Sequence, residues 1–575
     1  MSKRKIHDDS GFLTPTGRGR RRFIKRSAWV AAGSTPAVAA LDALLNARSA
    51  KAQAVLDWPT HSPGYISIAP GVGGYGMNTV GGSGRHLTTP DTTLFIVNTA
   101  RQSPREWGQL QPAFGPNTYE CNFEFAIRHA ASPKKIYICR SGYFAMGGNL
   151  PLQTRQPDLA QRGYVSVLGQ FAPQPGFIVR GSRFQTNGGS EIYVSHVRFY
   201  VGDDRYSSTF DLGQNRDCVS AGAGGVIASN VVFENCEFGY GIDELVDFTN
   251  QHNGVSFVQC AFIEPLHDSV LDHTDDDDPP DSDHGFGLLF GSSKRSTLVA
   301  IFRCLFANTS SRTPLTNALR TVIANNLFYN CAHDAIQVRN GESGTVPDPL
   351  NLNVLYNMFL RGPNHGSTIV AVKATQDIHP DSRVYLEGNV TRGWTVSGGQ
   401  AGFVTSGPAN WQSGTVLANC MPGSWGSGMS GVLHWAANPP TATLTEQLAF
   451  VDLIDRTVGA QPGLAGRPGR LPHIFQNIRN RINGVGGSAS QFVNTVAEAG
   501  GWHEDVLGSP TDDDTSPLIK RINPLDPGPE WHAPLPTGSN RLTPYTDGVF
   551  SDGQSRAGYT PLDAFEYEQK LKVMG

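Results

Sequence analysis

Three aspartates, Asp217, Asp243 and Asp247, are spaced so that a chain folding back on itself can bring them to one place. Carboxylate oxygens gathered in this way are what calcium takes, at ligand distances of about 2.3 to 2.6 Å. Along an extended strand Asp243 and Asp247 share a face but stand about 13 Å apart. One ion reaches both only if the chain bends at Gly239-Tyr240-Gly241-Ile242. Asp217 precedes Asp243 by 26 residues, close to one repeat of the surrounding sequence, and stacked strands lie about 4.8 Å apart. The spacing permits a three-carboxylate calcium site; the alternative is a set of solvated turn carboxylates. A second acidic segment, HDSVLDHTDDDDPPDSDH from His267 to His284, offers either another cation site or a solvated loop.

The elements that would position these groups are short strands. VVFENCEF (Val231 to Phe238) recurs as VSFVQCAF (Val255 to Phe262), 24 residues on. The terminal Phe continues as Phe199, Phe238, Phe262, Phe306, Phe328 and Phe359, in steps of 39, 24, 44, 22 and 31 residues. One long period with Asn, Gly and Ser at the corners is the mark of a coil stacking on its own copies. Antiparallel hairpins would instead show tight two-residue turns between neighbouring strands. The expectation is an all-β chain, a parallel β-helix with about three strands per coil over residues 55–420, with a large antiparallel sandwich as the alternative. Cys236, Cys260 and Cys304 each stand two residues before the repeated Phe and read as stacked core thiols rather than disulfides. No CxxC pair occurs among the eight cysteines, which argues against zinc.

Local helices are expected at Tyr119 to Ala131 and beyond residue 420. Thr445 would cap a run through Leu448, Val451 and Ile454, and Ile474, Ile478 and Ile482 fall on one face of another. Residues 421–575 therefore read as a helical and looped extension packed on the β-helix. With 65 Gly and 38 Pro in 575 residues, turns dominate and long helices are few.

Over roughly residues 130 to 390 the segments VSVLGQFAPQPGFIVRG, VRFYVGDD, NVVFENCEFGYGIDELVDF, GVSFVQCAFIEPLHDS, HGFGLLFGS and AIFRCLFANTSSRTPLTNALRTVIANNLFYNC together resemble the pectate lyases, the first family of polysaccharide lyases. GYTPLDAFEYEQ, from Gly558, is similar to the ending of bacterial members. The resemblance implies a right-handed parallel β-helix and calcium-dependent β-elimination of polygalacturonate. It places the calcium carboxylates on Asp217, Asp243 and Asp247, and the catalytic arginine on Arg312 within Ser311-Arg312-Thr313-Pro314. The second arginine of the RxPxxR pattern is Asn317 here, with Arg320 the nearest substitute as a substrate contact, beside His267 and His284 as further substrate-binding candidates. The lysine many members carry has no match in Glu264-Pro265-Leu266-His267-Asp268. A non-catalytic carbohydrate-binding β-helix is the second reading. A β-helix hydrolase using Gly202-Asp203-Asp204 is a third. The partner expected is an acidic polysaccharide, and the protein is expected as a monomer.

The N-terminus carries Arg20-Arg21-Arg22-Phe23-Ile24-Lys25 before a mildly apolar run from Ser27 to Leu45, then Ala50-Lys51-Ala52 and Ala52-Gln53-Ala54. That order resembles a twin-arginine export signal with a peptidase site, and Pro36 and Asp42 break the run as a membrane span. Without residues 1–54 the chain loses 11 basic and 3 acidic groups, leaving 35 against 47 and a net charge of −12. An acidic surface disfavours nucleic acid and needs a bridging cation for a polyanion. The protein is expected in the periplasm or outside the cell, with a mature N-terminus between Val55 and Trp58. Replacing Arg20 to Arg22 by Lys should hold full-length protein in the cytoplasm, as fractionation and N-terminal sequencing would show; normal export of that variant would refute the routing.

Overall fold

The computed structural model describes residues 92–99, 106–131, 133–145, 150–151, 163–181, 183–186, 189–203, 216–221, 228–249, 252–269, 284–291, 298–339, 348–366, 371–374, 378–393, 399–405, 411–420, 432, 442–460, 469–502, 516–553 and 555–574. The N-terminal stretch expected to be an export signal and most of the acidic segment, residues 270–283, lie outside them.

Among the described residues the strands fall into three sheets of twelve, nine and nine strands; the strands before Lys134–Ile138 lie in the first sheet with it, and from there on the three sheets are visited in rotation. One coil runs from Ala228–Glu234 in the first sheet to Glu237–Gly239 in the second and Glu244–Phe248 in the third. The next begins at His252–Val258, paired in parallel with the first strand of the coil before it. Every pairing between strands of successive coils is parallel, and the antiparallel exception is the edge strand Gly108–Leu110 against Thr118–Cys121. This is a right-handed parallel β-helix, as the periodicity and the resemblance both led us to expect.

The Phe register is the spine of the core. Phe238 pairs with Phe262, Phe262 with Phe306, Phe306 with Phe328 and Phe328 with Phe359. Their rings stack at centroid separations of 5.0, 4.5, 5.1 and 4.8 Å, following the coil spacing, and Phe199 stacks on Phe238 at 5.9 Å. Two residues before the repeated Phe lies a polar ladder. Cys236, Cys260 and Cys304 occupy it first, their thiols donating to backbone carbonyls, as Cys260 does to Phe233 O at 3.4 Å. All eight cysteines are free and buried. Asn326, Asn357 and Asn389 then continue it: the Asn357 side-chain oxygen accepts from Asn326 N at 2.9 Å and Asn326 Nδ2 at 3.0 Å, and Asn389 repeats the pattern for Asn357. Just before each ladder residue the chain turns through a left-handed residue, at Asn235, Gln259, Arg303, Asn325 and Tyr356 with φ between 51° and 54°. That corner turns the chain from the first sheet into the second.

The predicted helix at Tyr119 to Ala131 is shorter. Thr118–Cys121 is strand, and α1 spans Phe123–Arg128 behind the Asn122 cap, whose side chain accepts from Phe125 N at 2.8 Å. Phe123, Ala126 and Ile127 join the main core. In the extension α2 is Leu444–Thr457 and α3 is Leu471–Ile482. The cap of α2 is Thr443, not Thr445, because Glu446 completes a capping box with it. Ile474, Ile478 and Ile482 are buried along α3, and with Phe450, Val451 and Ile454 of α2 they pack on Ile263, Leu305, Tyr329 and Leu360 of the second sheet. The last helix, α4, spans Pro561–Met574 and packs Leu562 and Phe565 on Tyr137, Phe171 and Tyr193 beside the first sheet. Among the described residues no helix is long and apolar enough to cross a membrane.

Removing one ring from the Phe stack takes one stacking partner from the neighbour on either side. Phe306→Ala should lower stability by about 3 to 5 kcal/mol and Phe306→Leu by well under half of that. Urea unfolding followed by far-UV circular dichroism checks both, and equal losses would show that ring stacking is not what the site uses.

Candidate functional site

The third sheet places Val219–Ser220, Glu244–Phe248, Phe286–Phe290 and Leu315–Thr316 side by side, one per coil. Before the second of these the chain bends as the carboxylate spacing required. Tyr240 takes a left-handed φ of 58°, and at Gly241 a Cβ would come within 2.6 Å of the Glu244 carbonyl oxygen, so a side chain has no room there. The bend carries Asp243 and Glu244 against Asp217 of the preceding coil. One carboxylate oxygen from each of the three lies within 4.8 Å of the others, and Glu244 N donates to Asp217 Oδ1 at 3.2 Å. Asp217 and Glu244 are buried, and Asp243 is partly exposed.

Arg312 reaches this cluster from two coils further on. It sits at a left-handed φ of 55°, and its backbone carbonyl accepts from Leu288 N at 2.6 Å. Its guanidinium is ion-paired and hydrogen-bonded to Glu244 and lies 3.9 Å from the centroid of the Phe286 ring. His284 meets the same ring edge-on at 5.3 Å, with Nε2 3.8 Å from Asp243 Oδ1. The structure thus joins Asp217, Asp243, Glu244, His284 and Arg312 around Phe286.

The other candidates stand at varying distance from that centre. Asp247 is outside the three-carboxylate group, paired in the sheet with Ser220 and Leu289. Its Oδ1 is buried without a hydrogen bond, and its Oδ2 accepts from the Thr249 hydroxyl at 3.4 Å. His267 lies behind His284, whose amide donates to the His267 carbonyl, and its ring stacks on Phe492 of the extension at 4.7 Å. Arg320 is not brought to the site: it opens the strand Arg320–Ala324 of the first sheet, exposed, near Cys420. The chain turns from the third sheet into the first between Thr316 and Arg320, which carries that side chain away. Sequence reasoning missed Glu244, because strand alternation places it opposite Asp243 and only the bend unites them. It also missed Phe286 and Arg183, whose NH1 lies 3.8 Å from Asp217 Oδ2. Asp203 acts on the charge of Arg216, and Asp204 is outside the described residues.

The electrostatics of the cluster are unfavourable without a cation. Burial holds the Asp217 carboxyl well above the usual range, and Asp247 and Glu244 push it further. Asp243 is raised by burial, then by Glu244 and Asp217, and Asp247 is pushed up to about 8 by burial and Glu244. Burial works against the charge of Arg312, but Glu244, Asp243 and the Glu244 hydrogen bond outweigh it, so its pKa stands above the ordinary value and it stays a cation. Clustered hard oxygen donors, mutual repulsion and an orphaned buried oxygen on Asp247 fit a hard divalent ion such as calcium.

No family model matches this chain. It is 21% identical over 330 residues to the probable pectate lyase C of Aspergillus flavus, covering 57% of this chain and 61% of that protein. It is 22% identical over 340 residues to the probable pectate lyase C of Emericella nidulans, covering 59% and 63%. The chain is a distant homologue of pectate lyases. Its matches span about three fifths of the length of these curated relatives. Among solved structures it is similar to the major allergen from cedar pollen, with a TM-score of 0.37 at 12% identity over 63% of this chain and 92% of that one. A thermostable pectate lyase gives a TM-score of 0.37 at 12% identity over 70% and 99%. The β-helix is established here by the sheet order and register, not by these superpositions.

Asp217, Asp243 and Asp247 bind protons more tightly folded than unfolded. Between the ordinary carboxylate range and about pH 8 the folded protein therefore holds protons that the unfolded chain releases, and stability falls as pH rises. The metal-free protein should lose melting temperature from about pH 5 to about pH 8, and calcium should flatten that slope. Scanning calorimetry with and without a chelator measures both slopes; identical slopes would remove the cation from this cluster.

Proposed function

We propose that this chain is an exported, calcium-dependent pectate lyase that cleaves polygalacturonate-type uronic acid polymers by β-elimination. The observation that carries this is the convergence of Asp217, Asp243 and Glu244 with an arginine held charged at their edge. Distant homology to pectate lyases supports the same substrate class.

Elimination breaks the C5–H bond of a uronate, forms a C4–C5 double bond and expels the glycosidic oxygen at C4, which takes up a proton. Negative charge grows on the C5 carboxylate as the proton leaves. Calcium bound by Asp217, Asp243 and Glu244, with Asp247 beside them, would supply positive charge at that carboxylate. Arg312 supplies the second cation: paired to Glu244 and lying across Phe286, it presents a planar fork to a carboxylate. The resemblance also gives Arg312 the task of proton removal. Its raised pKa argues for charge neutralisation instead, since an arginine in this setting does not release its proton. His284 and Phe286 form the wall against which the sugar would lie.

One observation favours the second reading, a carbohydrate-binding β-helix without catalysis: the arginine expected to replace the second family arginine, Arg320, is on another sheet. Incubating the exported protein with polygalacturonate and calcium, and following the absorbance of the unsaturated product, separates the two. Arg312→Ala should cut turnover at least about a hundredfold, the scale of one preorganised charge-stabilising donor. Arg312→Lys should recover part of it. Substrate binding without product in the wild type would leave the binding reading standing.

A further inference from the structure

We infer that Glu244 is shared between the cation site and Arg312, and that a divalent ion, by drawing on Glu244, releases the guanidinium for a substrate carboxylate. The inference rests on the lyase reading and adds an order to it: metal first, then polymer.

Glu244, Phe286 and Ser311 occupy one place in three successive coils, since Glu244 pairs with Phe286 in the sheet and Phe286 bridges to Ser311. The Arg312 side chain runs back over the Phe286 ring, 3.9 Å from its centroid, to reach a carboxylate two coils behind it. There NH1 donates to Glu244 Oε1. That bond occupies one arm of the fork that a uronate carboxylate would need for a two-pronged grip. The Glu244 side chain is 4% exposed and the Arg312 side chain 28%, so the carboxylate is enclosed while the guanidinium keeps an open side. By contrast Lys135–Glu566 and Lys570–Glu234, at 2.8 and 2.7 Å, have both partners at 1% exposure or less and belong to no carboxylate cluster.

Glu244 is also one of the three residues whose carboxylate oxygens gather within 4.8 Å of one another. One carboxylate therefore answers to two cations. Burial works against the Arg312 charge, and Glu244, Asp243 and Asp247 outweigh it, so without metal this guanidinium is a counter-charge to the whole cluster. A divalent ion at its ligand distance of about 2.3 to 2.6 Å brings twice that charge to the same oxygens. Two cations on one buried carboxylate repel each other with little water between them to screen the repulsion. The monovalent, partly exposed partner is the one that can leave. Arg312 keeps its place over Phe286 and exchanges Glu244 for the carboxylate of the sugar.

The test reads Arg312 directly in the purified protein, by its rate of modification with phenylglyoxal, followed on the Arg312 peptide by mass spectrometry. Calcium should speed that modification at least about fivefold in the wild type, the low end of coupling between two sites. Glu244→Gln should react at the fast rate with or without calcium. Asp247→Asn removes the same charge without touching the pair, and without calcium should stay near the wild-type rate. Since coupling is reciprocal, calorimetry should show calcium bound at least about fivefold more tightly by Arg312→Gln than by the wild type. Calcium that leaves the Arg312 rate unchanged or slows it, an Arg312→Gln variant that binds calcium no more tightly, or an Asp247→Asn variant that reacts as fast as Glu244→Gln would overturn the sharing. Neither readout uses a polymer, so the two readings fail separately. A wild type with both effects that leaves polygalacturonate intact keeps the sharing of Glu244 and loses the lyase reading; one that cleaves it with neither effect keeps the lyase reading and loses the sharing.

Discussion

In a parallel β-helix each coil is hydrogen-bonded to the next in register, so whatever stands at one place in a coil faces its counterpart one step along the axis. Stacking is favourable when like residues attract or pair. The Phe rings gain contact with both neighbours, and the ladder amides donate and accept along the row. Like charges in the same arrangement repel. Asp217 against Glu244 is that case, made worse by burial and by Asp243. A fold that otherwise profits from repetition tolerates this pair only with bound protons or other positive charge at the cluster, which is the physical reason to read it as a cation site.

That positive charge is divided. Arg312 closes on Glu244 and remains protonated, while Arg183 approaches Asp217 without closing. Two monovalent groups at the ends of the cluster leave its centre, between Asp217 and Asp243, for a third cation.

Much of this was legible in the sequence, and the reasons for the remainder are local. The Phe repeat survived steps of 22 to 44 residues because extra residues enter between strands, not within them. The bend between Gly239 and Asp243 could be demanded from the carboxylate spacing. Its effect on Glu244 could not, because alternation holds only while the strand is straight. Arg320 was assigned by counting along the chain from Arg312, and a corner between sheets lies within that count. The helix limits shifted for cap chemistry: Asn122 and Thr443 bind the amides that start α1 and α2, and periodicity alone does not see them.

The extension bears on the site through the coils beneath it. On the first sheet Lys135 pairs with Asp563 and Glu566, while Glu234, three strands away, pairs with Lys570 and accepts from Tyr193. From Asp563 to Lys570 the helix advances about 10 Å against about 14 Å for three strand steps, and the long lysine side chains span the remainder, so α4 runs across the strands and ties successive coils together in the direction of stacking. Buried pairs of this kind add little net stability, since desolvation offsets attraction, but leaving one partner alone is costly. They therefore fix where α4 sits more than they hold the fold together. The strands it spans lead into Asp217 and Asp243, whose coils begin at Ser190–Ser195 and Ala228–Glu234. A helix bound across those two coils holds them at one spacing, and the distance between Asp217 and Asp243 is set by that same coil-to-coil spacing, so the buried pairs on the first sheet and the acidic site on the third bear on one coordinate.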